Sequence, residues 1–468
     1  MKIPRRIVGF LELNDSKCSF EFDKELFELR LYHQNEMRAF EILSDGLKSF
    51  GINMREHKWV DRITLKGKTS ESYTVYFGTS DNPSNYNGYR TYDVEWYYIT
   101  DDNQEMIDEI RVYGREVDYL YYPTRTFQHN IRFKGDKYAS IESISVDTVE
   151  CEALDCGQYS LEGIQTTLSF ESFAIVHTQS PVPLDSKSFL KLRFSRAISI
   201  DEMIDKARNA QALIKYCCYR TNCYFTDISS FVNIDNSTVR NCGKLVFKQE
   251  NSDEQNEKAK DRVIKAEYIN KHIAGILNDI DNGKIPFGHF CKSIDDISHY
   301  PASRIIMILA SFEREFRNIY GQDIKRSDEY KEIKIFIAKL IEEQSNILSG
   351  KQKKYVKGFA KGIENSDSSY GDKLNYALND CKMIMEPFVT KRYEGYYEEI
   401  ASDVSISINE LRNGIAHSRL DIELEARHLT DIRVVEEMIY VIRLKNMEVE
   451  NLTIQKIINE LFKENLAI

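Results

Sequence analysis

Between Gln249 and Lys258 the chain carries ten consecutive polar residues and no apolar side chain. Such a stretch has nothing to bury, so it reads as a solvated linker or exposed loop. It divides the 468 residues into two folding problems. The two sides also differ in hydrophobic period. Ile7 to Leu13, Cys18 to Phe22, Phe27 to Leu31, Tyr73 to Phe77, Tyr92 to Tyr98 and Glu109 to Tyr113 have the period-two character of strands. Short strands of this kind predict a sandwich or a curled sheet. After Ser199, which resembles a helix cap, Met203, Ala207, Ala210, Leu213 and Ile214 follow at helical spacing.

Beyond residue 262 the period lengthens to that of amphipathic helices. Ile305, Ile306, Ile308, Leu309, Phe312, Phe316 and Ile319 form one stripe, and Val434, Val435, Met438, Ile439 and Ile442 form another. Further helices are expected over 332–348, 371–385 (ended or kinked by Pro387), 405–418 and 452–462. The expected fold class is therefore α+β. A β-rich, sandwich-like domain over 1–250 ends in a helix, and an all-α helical bundle follows over 262–468.

No apolar run approaches the ~20 residues that span a bilayer. The basic start, Lys2 to Arg6, is followed by no long apolar segment, so the expectation is no secretory signal and a cytoplasmic protein. Nine cysteines, an odd number, argue against a disulfide framework. Cys217, Cys218, Cys223 and Cys242 lack paired zinc-ligand spacing and read as buried thiols. The formal charge of −11 excludes a protein that coats nucleic acid indiscriminately; any nucleic-acid site must be a local basic patch. No phosphate-binding P-loop, H-E-x-x-H or G-x-S-x-G motif occurs.

The segment Asn409 to His417 contains Arg412, the polar Asn413 and, after three more residues, His417. Arg presents a permanent charge on a planar fork that fits phosphate oxygens. The His proton moves near neutral pH. Together they suit RNA cleavage through the 2′-hydroxyl, which needs a base, an acid and a donor to the phosphorane. Residues five apart on a helix point about 140° apart, so only the long Arg stem lets both tips reach one cleft. One helix supplies one Arg and one His; a symmetric dimer would supply two of each. The same residues also fit a partly exposed helix bearing an Arg and a capping His.

This Arg-polar-x3-His arrangement, near the start of the penultimate long helix of an all-α half, resembles the HEPN superfamily. Ser303 to Arg314, an apolar helix with Glu313 late in it, looks like the first core helix of the ApeA-like HEPN group. The β-rich first half looks like the ApeA N-terminal domain, so the resemblance covers nearly the whole chain. It implies a metal-independent endoribonuclease of bacterial abortive infection, needing no cofactor and cutting host RNA, plausibly tRNA, when a phage-derived trigger is sensed. It also implies a homo-oligomer, with a dimer through the helical domain or a tetramer, and no membrane partner. His417 would move the proton, Arg412 would stabilise the phosphorane, and Asn413 would position the phosphate or orient the His. The products would carry 2′,3′-cyclic phosphate and 5′-hydroxyl ends. Glu313 either holds Arg412 and tunes His417 or is an ordinary ion-paired Glu. Lys351, Lys353, Lys354 and Lys357, with Lys361, either steer an RNA backbone or form a solvated face. The alternative function is a non-catalytic HEPN bundle serving in oligomerisation or RNA binding.

Overall fold

The computed structural model describes residues 4–467 except 14–15, 34–61, 81–83, 87–88, 102–103, 134–140, 162, 178–183, 224, 236–237, 250–256, 322–323, 325–327, 346, 365–367 and 417–423. His417 and most of the polar stretch at 249–258 thus lie outside the described residues. The chain forms two compact units, Met1–Asp281 and Asn282–Ile468. The first is β-rich and the second helical, so the α+β class holds.

The first unit opens with β1 (Arg6–Leu13), β2 (Ser16–Asp23), β3 (Glu28–His33), β4 (Arg62–Thr69), β5 (Thr74–Ser80), β6 (Ser84–Tyr86), β7 (Tyr89–Thr100) and β8 (Ile107–Gly114). It continues with helix α1 (Arg115–Leu120), β9 (Phe127–Phe133), β10 (Ile141–Thr148), β11 (Leu154–Leu161), β12 (Ile164–Val176) and β13 (Leu184–Ile198). Helix α2 (Ile200–Cys218) precedes β14 (Phe225–Asn233), β15 (Val239–Phe247) and the short helices α3 (Ala266–Ile269) and α4 (Ile273–Asp281).

Among the described residues, thirteen strands join in one antiparallel sheet, and β9 and β10 pair separately as a two-stranded one. Strands β7, β3, β2, β1, β4 and β5 pair in that order, and β5 returns to pair with β7, which closes a ring. The buried side of the alternation points inward: Leu11, Phe20, Phe22, Leu29, Leu31, Val75, Phe77 and Val94 form one apolar cluster. Gly78 is required here, because a Cβ at that position would stand 2.0 Å from the Trp96 indole. The first half of β7 pairs with β3 and its second half with β15, so this strand passes from the ring into an open sheet. That sheet runs β7, β15, β14, β8, β13, β12, β11. Helix α2 packs on β8 and β13, its start fixed by a capping box between Ser199 and Glu202. The unit boundary falls downstream of the polar stretch because α4 packs back on β11 and α2. Tyr119 and Tyr121 are buried and pack the unit. Cys217, Cys218, Cys223 and Cys242 are free and buried, as expected.

The second unit contains α5 (Ala302–Tyr320), α6 (Asp328–Ser345), α7 (Gly350–Glu364), α8 (Tyr370–Asp380), α9 (Lys382–Arg392), α10 (Tyr397–Ala416), α11 (Ala426–Asn446) and α12 (Asn451–Phe462). Phe312, Phe316, Leu374, Ile408, Leu411, Val435, Met438 and Ile458 are buried among them. Two buried ion pairs lock α5 to α11. Arg304 donates to Glu436 at 2.7 Å, and the Arg443 fork grips the Glu315 carboxylate, with one contact at 2.7 Å. Pro387 neither ends nor interrupts α9. Its missing N–H leaves the Met383 carbonyl without a helical partner, and Gln455 of α12 donates to that oxygen at 3.0 Å. No helix among the described residues is long and apolar enough to cross a membrane.

Candidate functional site

Arg412 lies on α10, Glu313 on α5 and Lys373 on α8. The buried pairs between α5 and α11 fix the helix that carries Glu313. Helix α8 is brought against α10 by Gly371, where a Cβ would meet the Ser405 carbonyl oxygen at 2.9 Å and Asn409 Cβ at 3.1 Å. The Gly371 N–H also donates to Asn409 Oδ1 at 3.2 Å. Only glycine allows this approach, and it sets Tyr370 and Lys373 beside Arg412.

Glu313 is the hub. Its Oε1 accepts from Lys373 Nζ at 3.1 Å and from Arg317 Nη2 at 2.9 Å. Its Oε2 faces Arg412 Nη2 at 4.0 Å. Burial pushes the Glu313 carboxyl up, but the hydrogen bond and charge of Lys373, with Arg317 and Arg412, outweigh it and hold the group below the usual carboxylate range. Glu313 is therefore an anion at neutral pH, surrounded by three cations. The local balance is positive although the chain as a whole is at −11. Arg317 and Arg412 are both half-exposed, at 47% and 44%, whereas Lys373 is 3% exposed.

Glu313 and Arg412 line a cleft of about 280 Å³, with Tyr370 beside them and Ile306, Leu309, Ala310 and Ile415 forming its apolar side. Asn413 is exposed, and its Oδ1 accepts from Arg412 Nη1 at 3.4 Å. Of the predicted residues, Arg412, Asn413 and Glu313 come together. Lys351, Lys353, Lys354 and Lys357 do not line the cleft; they sit on α7, which packs against α6. Among the described residues, no three His, Cys, Asp or Glu side chains gather as metal ligands.

Sequence reasoning missed Lys373 and Tyr370. The signal was available. Tyr370, Leu374, Ala377 and Leu378 make a buried face on α8, and Lys373 falls on it at 2% exposure. A lysine on an apolar face needs an anionic partner, and Glu313 is that anion.

No protein-family model matches the chain, and neither does any curated protein or any solved structure.

Proposed function

We propose that the chain is a metal-independent endoribonuclease of the HEPN kind, cutting RNA in antiviral defence. The observation that carries this reading is the meeting of Arg412 and Glu313 in one cleft, with buried Lys373 of a third helix bonded to Glu313. Glu313 orients Arg412 from 4.0 Å without closing a tight ion pair, which leaves the guanidinium fork available to a phosphate. In the proposed reaction the 2′-hydroxyl loses its proton to a base and attacks the adjacent phosphorus. Arg412 stabilises the phosphorane charge, and an acid protonates the departing 5′-oxygen. His417, one residue beyond α10, serves as the proton carrier. A second copy of the same helix supplies the other acid–base group. The β-rich unit is assigned the regulatory role, and tRNA the role of target.

The test is incubation of the pure full-length protein with RNA in EDTA. Cleavage that persists in chelator and disappears in folded His417→Ala protein supports the reading. An unchanged cleavage pattern from His417→Ala rejects it.

A further inference from the structure

Most polar groups around the cleft account for one another: Glu313 accepts from Lys373 and Arg317 and faces Arg412, and Arg412 donates to Asn413. The Tyr370 hydroxyl is the exception. Its oxygen is shut off from solvent and has no hydrogen-bond partner among the described residues. The residue is 5% exposed and forms part of the cleft wall beside Glu313 and Arg412. Its ring packs on Phe312 with centroids 5.4 Å apart, a contact that a phenylalanine would make equally well. A buried hydroxyl without a partner costs stability, so packing does not explain why this position is Tyr.

Arg412, in the same cleft wall, supplies the charge that would draw an anionic partner to the hydroxyl. Tyr370 is the first residue of α8, whose N-terminal end is met by the Ser369–Asp372 capping box. Lys373, Arg317 and Arg412 outnumber the single Glu313 carboxylate. The phenol stays protonated, and hence a donor, because burial first and the Glu313 charge second push its pKa far up against the opposing effect of Arg412.

We propose that the Tyr370 hydroxyl is a substrate-binding group that donates a hydrogen bond to a non-bridging phosphate oxygen of the RNA strand held by Arg412. The inference rests on the ribonuclease reading of this cleft. Arg412 stands 4.0 Å from Glu313 and shares the cleft wall with Tyr370, so its guanidinium can turn onto the phosphate.

The experiment uses the full-length chain as wild type, Tyr370→Phe and Arg412→Ala. Thermal unfolding is measured for each, together with kcat and KM on a fluorophore–quencher single-stranded RNA oligonucleotide. Tyr370→Phe is expected to keep or raise Tm, because it deletes an unbonded hydroxyl. It should raise KM about tenfold, the effect of one hydrogen bond to a charged group, with a smaller change in kcat. Wild-type kinetics in Tyr370→Phe beside an inactive Arg412→Ala overturn this proposal and leave the ribonuclease reading standing. A Tm lower by more than about 3 °C also overturns it, because the hydroxyl then has a structural partner. If the wild type leaves RNA intact, the ribonuclease reading falls, and fluorescence anisotropy of the same oligonucleotide decides. Weaker binding by Tyr370→Phe upholds the phosphate contact, and equal binding overturns it.

Discussion

Replacing Lys373 by Met tests whether the cleft is held together by charge. Met keeps the unbranched stem and removes the ammonium. The Nζ–Oε1 separation of 3.1 Å corresponds to a gross attraction of about 5 kcal/mol at an effective dielectric of 20. Most of that is offset by desolvation of an ammonium that is only 3% exposed. Arg317 and Arg412 remain beside Glu313, and the Glu313 side chain keeps 22% exposure, so the carboxylate is not stranded. The expected net loss is that of one charged hydrogen bond, about 1.5–3 kcal/mol. In a unit of this size it lowers Tm by about 3–10 °C. The loss depends on pH with a definite sign. The folded Glu313 carboxyl is held below its ordinary value of 4.5, so its contribution is complete above that value and disappears as pH falls through the folded one. The gap between wild type and Lys373→Met is therefore full at pH 7 and closes in acid. A double-mutant cycle with Glu313→Gln isolates the pair, and a coupling of about 1–2 kcal/mol is expected. A coupling under about 0.5 kcal/mol, the usual error of additivity, refutes the argument.

Arg443→Met should cost about 3–5 kcal/mol in urea unfolding, because it leaves the Glu315 carboxylate, 1% exposed, without its guanidinium partner. Gly371→Ala forces a Cβ to within 2.9 Å of the Ser405 carbonyl oxygen. Overpacking of about 1–3 kcal/mol should exceed the helix-propensity gain of at most ~1 kcal/mol, so a lower Tm is expected together with weaker RNA binding. His289, buried and beside the Arg304 charge, has its pKa lowered from 6.5 to about 3. The unfolded chain then takes up a proton that the fold refuses, so stability falls as pH drops from 6.5 toward 3, by about 1.4 kcal/mol per unit. His289→Leu should flatten the urea midpoint across that window.

Individual strands and helices were legible because each carries its own period. The β1 burial alternates residue by residue, and the α5 stripe recurs every three or four. Closure of the ring left no local mark, since it depends on β1 meeting β4 and β5 meeting β7 across long separations. Pro387 misled for a similar reason: the group that rescues its helix, Gln455, is distant in sequence. At the site, Arg412 stood out through its spacing to His417 and Glu313 through its place late in an apolar helix. A lysine on the apolar face of α8 signalled an anionic partner, but which anion it meets is set by packing at Gly371, read only from the contact that glycine permits.

The central claim is that the Arg412 cleft cleaves RNA by internal attack of the 2′-hydroxyl. Mapping the ends of RNA after expression of wild type and Arg412→Ala tests it most directly. The account predicts 2′,3′-cyclic phosphate and 5′-hydroxyl ends with the wild type and none of these fragments with folded Arg412→Ala protein. The same fragments from both proteins, or 5′-phosphate ends from the wild type, would contradict it.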